Sequence, residues 1–118
     1  MQEIIERYLA AWNETDPAKR RSLVDAVWAE DGSYTDPLAD VRGREAVDGL
    51  IGAVQQQFPG FVFTLGGAVD AHHDQARFSW HLGPAGAPEP VVIGFDVAVL
   101  DGEGRIGSVY GFLDKVPG

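Results

Sequence analysis

The spacing of apolar residues changes once along this chain, and the change restricts the fold to one class. Up to about Gln57 they recur mostly every three or four residues, whereas from Phe61 onward they fall in short β-type runs separated by turn residues. Helices gathered ahead of strands predict an α+β domain, with the helices packed on one face of an antiparallel sheet. At 118 residues, the chain is read as a single domain spanning 1–118.

Ile4, Ile5, Tyr8, Leu9 and Trp12 predict an amphipathic helix from about Gln2 to Asn13. Thr15-Asp16-Pro17 ends it and opens a second, since Thr15 or Asp16 can cap and Pro17 suits a first helical turn. Leu23, Val24 and Val27 form the buried stripe of this second helix, with Gly32 as its stop. A short extended segment, Ser33 to Asp36, follows, and Pro37 keeps the residue before it out of helical geometry. After a loop through Arg42-Gly43, a third helix is predicted from about Arg44 to Gln57, with Ala46, Val47, Leu50, Ile51 and Val54 inward. Strands are expected over Phe61–Asp70, Gln75–Leu82, Val91–Leu100 and Ile106–Leu113, with hairpin tips at His72-His73-Asp74 and Asp101-Gly102-Glu103-Gly104.

The charge balance narrows the partners. Eighteen acidic against nine basic residues give a net charge of −9, which argues against nucleic acid or an anionic membrane. With no cysteine, thiolate metal sites, thiol nucleophiles and disulfides are ruled out. No stretch approaches the roughly 20 apolar residues of a membrane span, and Met1 to Arg7 is amphipathic rather than signal-like. The expected location is the cytoplasm.

Asp96 interrupts the apolar run Val91 to Leu100, where a carboxylate must be paired, protonated or wet. Asp36, in Tyr34-Thr35-Asp36-Pro37, reads either as a turn acid bonded to nearby backbone N–H groups or as a site residue. Tyr8 and Trp12 share a helix face and fit a core as well as a pocket wall. His81 alternates with Trp80, so it falls opposite Phe78 and Trp80, on the side of Ser79 and Arg77. His72 and His73 with Asp70 and Asp74 do not suit a metal, because adjacent strand residues diverge. Gly102-Glu103-Gly104-Arg105-Ile106-Gly107 matches a dinucleotide glycine fingerprint in letters only: it precedes a strand instead of opening a helix after one. No metal and no cofactor is expected.

The run Val91 to Leu100 is apolar on both alternating sides, which predicts burial on both faces. Helices can cover one face and a second copy of the chain the other, so a homodimer packed through its sheets is expected.

Tyr8-Leu9-Ala10-Ala11-Trp12-Asn13, Trp28-Ala29-Glu30-Asp31-Gly32, Tyr34-Thr35-Asp36-Pro37 and Asp101-Gly102-Glu103-Gly104-Arg105-Ile106, in this order of elements, resemble the nuclear-transport-factor-two-like superfamily. Within it, the chain is most similar to the SnoaL-like group, which includes polyketide cyclases and is related to ketosteroid isomerases. The resemblance implies a cystatin-like α+β barrel or cone: a curved antiparallel sheet wrapped around three helices, with a deep apolar pocket. It also implies that Tyr8 corresponds to an oxyanion tyrosine, Asp36 to the base and Asp96 to an oxyanion acid.

The resulting expectation is a cofactor-free isomerase- or cyclase-type enzyme acting on a small hydrophobic carbonyl compound. Asp36 would remove a proton while Tyr8 and a neutral Asp96 stabilise the enolate. Trp12, Trp28, Tyr34, Phe58 and Trp80 are the expected pocket residues, with His81 a further candidate. The alternatives are a non-catalytic binder of a small hydrophobic ligand and a dimerisation module of the same fold.

Overall fold

The computed structural model describes residues 1–117. Three helices, α1 (Gln2–Asn13), α2 (Pro17–Val27) and α3 (Arg44–Gln57), lie against a curved, unclosed sheet of seven strands. The strands are β1 (Trp28–Asp36), β2 (Ala39–Arg42), β3 (Phe61–Leu65), β4 (Asp70–His72), β5 (Gln75–Pro84), β6 (Val92–Leu100) and β7 (Ile106–Lys115). Their order is β2-β1-β7-β6-β5-β3, with β4 also paired to β5. The α+β class and the curved sheet over three helices agree with the sequence reading. Pairing is antiparallel throughout except between β1 and β7, which run parallel.

Local sequence explains the helix boundaries. Asp16 caps α2 by accepting a hydrogen bond from Lys19 N at 2.9 Å, and Pro17 occupies the first turn. α2 ends at Val27, earlier than expected, because Trp28 is already extended (φ −90°, ψ 145°). Gly32, expected as the helix stop, instead lies within β1. A Cβ there would come within 2.7 Å of Trp28 Cδ1 and 2.9 Å of the Ile106 carbonyl, so the glycine lets the strand bend tightly over the indole. The loop expected before α3 contains β2, which pairs with β1 through a hairpin at Pro37-Leu38. Phe61–Asp70, expected as one strand, divides into β3 and β4 at Gly66-Gly67.

Alternation along the central strands sorts the two faces of the sheet. Ala76, Phe78, Trp80 and Leu82 of β5 and Val92, Gly94, Asp96 and Ala98 of β6 are buried toward the helices. They meet Ile5, Tyr8, Leu9 and Trp12 of α1 and Val47 and Ile51 of α3 in one core. On the other face Ile93, Phe95, Val97 and Val99 are half-buried, while Tyr110 and Phe112 remain 48% and 56% exposed.

Polar stitches fix the end of α1 beside the edge of the sheet. Asn13 Nδ2 donates to Phe63 O at 2.9 Å and Asn13 Oδ1 accepts from Phe63 N at 2.7 Å, as a neighbouring strand would. Gln55 Nε2 donates to the carbonyls of Trp12 and Glu14, satisfying groups the helix end leaves open. No helix among the described residues is long and apolar enough to cross a membrane.

Candidate active site

Three adjacent strands bring two carboxyl groups together. Asp96 lies on β6 and Asp36 at the end of β1, with β7 between them. At that level β7 presents Gly111, which pairs directly with Asp96. The neighbouring pair Thr35 and Tyr110 sets Asp36 beside the same glycine. A Cβ on residue 111 would lie 2.9 Å from Asp96 Oδ1, 3.2 Å from Asp36 Cβ and 3.4 Å from Tyr34 Oη. The missing side chain therefore makes the room in which both acids lean over the middle strand.

The two carboxyls are held differently. Asp36 Oδ2 accepts from Tyr34 Oη at 2.7 Å, and Oδ1 accepts from Leu38 N and Ala39 N, both at 2.8 Å. Both oxygens are occupied, so Asp36 anchors the β1–β2 turn while also facing the site. Asp96, only 1% exposed, accepts from Tyr8 Oη at 2.7 Å through Oδ2, while Oδ1 makes no hydrogen bond of good geometry among the described residues and has only the nearby Trp80 indole to ease its charge. An unpaired buried carboxylate oxygen is costly in an apolar setting.

Burial pushes the Asp96 pKa up to about 6, and the nearby charge of Asp36 adds to the rise, while the Tyr8 hydroxyl and the Trp80 indole oppose it. The rise is in the direction expected from the sequence and brings this carboxyl close to the range in which it can change protonation state near neutral pH. Burial also pushes the Tyr8 and Tyr34 hydroxyls above their ordinary range, with Asp96 adding for both. Both tyrosines are thus protonated donors at any physiological pH.

A cavity of about 310 Å³ opens over this cluster. Tyr8, Trp12, Tyr34, Asp36, Phe58, Trp80 and Asp96 all line it, together with Phe63, Leu82 and Val92. Leu38, 85% exposed, and Val116, 56% exposed, are also in its wall and mark the mouth. Trp80 lies flat over Gly94, where a Cβ would fall 2.0 Å from its Cζ2. Trp12 Nε1 is buried without an acceptor among the described residues, on a residue of the cavity wall.

Two expected pocket residues lie elsewhere. Trp28 is fully buried behind Tyr8, its ring centroid 5.2 Å away, and does not reach the cavity. His81 pairs with Thr64 on the outer side of β5, since the two-residue period turns Trp80 and Leu82 inward. Gly111, and Gln57, which also lines the cavity, were not singled out from the sequence. A glycine inside the strand-like run Val109 to Leu113 is a signal of close approach, and it could have marked Gly111; Gln57 carries no such signal. No cluster of three or more His, Cys, Asp or Glu among the described residues is placed to hold a metal.

Residues 5–108 match the family of SnoaL-like domains. The structure of a candidate isomerase of the SnoaL-like family from Agrobacterium tumefaciens is 45% identical, with a TM-score of 0.91 and a match covering 96% of each chain. A candidate polyketide cyclase from Sinorhizobium meliloti, 17% identical, has a TM-score of 0.71 over 92% of this chain and 93% of its own. An LEH-like epoxide hydrolase from M. tuberculosis, 21% identical, has a TM-score of 0.67 over 95% of this chain and 80% of its own. The last two share the fold. No curated protein matches the chain.

Proposed function

The chain belongs to the SnoaL-like family, and from that premise we propose that it is a cofactor-independent proton-transfer enzyme of isomerase or cyclase type, acting on a small hydrophobic carbonyl compound. The observation that carries this reading is Asp96 Oδ1, a carboxylate oxygen without a hydrogen-bond partner among the described residues, on a residue that lines an apolar cavity. A base needs a free lone pair, and a pKa near the working pH makes proton transfer efficient in both directions. Asp96 has both attributes.

The hydrogen bonds favour exchanging the two acids' expected roles. Asp36 already accepts from three donors, one on Oδ2 and two on Oδ1, so it serves as the held neighbour that adds to the effect of burial on Asp96. Asp96 Oδ1 takes the proton from the carbon next to the carbonyl. As Asp96 becomes neutral, its hold on Tyr8 weakens, and the Tyr8 hydroxyl turns to the developing enolate oxygen. The N–H of Trp12, which has no acceptor of good geometry among the described residues and lies close to the Tyr8 hydroxyl, supplies a second donor from the same wall. Negative charge moves from carboxylate to enolate, and the site gains none.

Exchange of α-protons is the test, because it needs no knowledge of the natural product. A panel of small cyclic and aromatic ketones in D2O, followed by proton NMR, is expected to show protein-dependent deuteration. Asp96→Asn should abolish it, and Asp36→Asn should slow it without abolishing it. Exchange that survives in Asp96→Asn would assign the base elsewhere. Ligand binding with no exchange for any ketone would favour the non-catalytic binder, which the same cavity also suits.

A further inference from the structure

We propose that the ligand of the cavity is an organic cation: a small apolar molecule carrying an ammonium or iminium group. The inference rests on the reading of this cavity as the ligand site, and it adds the chemical class of what enters. Two carboxyl groups line the space, and the lining contains no lysine, arginine or histidine. Neither Asp36 nor Asp96 takes part in an ion pair among the described residues. A buried carboxylate with a second, half-buried one beside it and no counter-charge is unfavourable, and a bound cation relieves it.

The second observation is Oδ1 of Asp96, on a side chain 1% exposed, which has no hydrogen-bond partner among the described residues; a ligand ammonium nearby supplies the missing counter-charge without occupying the lone pair that takes the α-proton. The rest of the wall fits the same chemistry. The rings of Tyr34, Trp12, Phe63 and Trp80 follow one another with centroids 5.3 to 5.5 Å apart, and aromatic rings attract desolvated organic cations. A small hydrated metal ion would forfeit its water to this apolar wall, and a carboxylate ligand would meet two like charges. The formal charge of −9 on the whole chain draws cations toward the mouth. On a carbonyl substrate the positive group would also offset the enolate charge left beside Asp36.

Three probes of nearly one shape isolate the charge: benzylammonium, benzyl alcohol and benzoate, titrated at pH 7.5 by the fluorescence of the cavity tryptophans. Benzylammonium is expected to bind at least tenfold more tightly than benzyl alcohol, and benzoate most weakly. In Asp96→Asn and in Asp36→Asn the ratio of ammonium to alcohol affinity should fall by several-fold each. Two separate variants guard against one that folds poorly, and circular dichroism checks both. Benzyl alcohol binding as tightly as benzylammonium would overturn the proposal, as would binding by none of the three or a preference unchanged in both variants. Deuteration of neutral ketones together with equal binding of the alcohol and the ammonium would sink the cation and leave proton transfer standing.

Discussion

Asp96 shows how a cost to folding and a capacity for chemistry reside in one side chain. Its pKa is higher in the folded protein than the ordinary 3.8, so the folded state binds the proton more tightly than the unfolded chain. Stability from this group is therefore fully present below about pH 4 and is lost as pH rises through about 6. The rise from 3.8 to about 6 corresponds to about 3 kcal/mol at neutral pH. Asp96→Asn, which keeps an acceptor for Tyr8, should raise stability at pH 7 by an amount up to that size. It should also flatten the stability profile between pH 4 and 6, both read from urea unfolding across that range. An unchanged profile would mean that Asp96 is solvated in the folded protein. This residue was legible in the sequence because a lone acid breaks an otherwise apolar alternation. Asp36 was legible as a turn acid bonded to nearby backbone N–H groups, which Leu38 N and Ala39 N supply, whereas its hydrogen bond from Tyr34 was not, because it depends on how the strand end turns that ring.

The elements themselves were read more surely than their edges. Helical spacing gave α1 and α3 their observed bounds, because long amphipathic stripes repeat the same signal several times. β2 carries too few residues to show a period, and its half-exposed Ala39-Asp40-Val41-Arg42 resembles loop sequence. The parallel pairing of β1 with β7 joins segments some 70 residues apart, a long-range choice that no local pattern encodes. At this scale Asn13 is the sharpest test, since its side chain stands in for a strand beside β3. Asn13→Ala removes two hydrogen bonds to Phe63 and should cost about 1–3 kcal/mol. Amide exchange at Phe63 should accelerate while exchange in β6 tracks only the global loss. Equal protection at Phe63 in both proteins would show that the bonds contribute nothing.

For the whole molecule, the outer face of the sheet is the surface left unexplained by the cavity. Ile93, Phe95 and Val97 on β6 adjoin Tyr110 and Phe112 on β7, with Phe95 paired to Phe112 and Val97 to Tyr110. A contiguous apolar patch of this kind suits association with a second copy, and we propose a homodimer through this face. Wild type should sediment as a dimer at micromolar concentration and Phe112→Glu as a monomer with unchanged circular dichroism. A monomeric wild type would remove the proposal. The proposed dimer face and the cavity lie on opposite sides of one sheet, so the same alternation that hides Asp96 inside leaves Phe95 outside. Fold, cavity and candidate chemistry thus all depend on which residues of β6 turn inward, and Asp96 is the residue that reports it. Carbon-13 NMR of aspartate-labelled protein, with the Asp96 carboxyl assigned by its loss in Asp96→Asn, should show that resonance titrating near pH 6. Titration near the ordinary 3.8 would place the carboxylate in water and contradict a buried base lining the cavity.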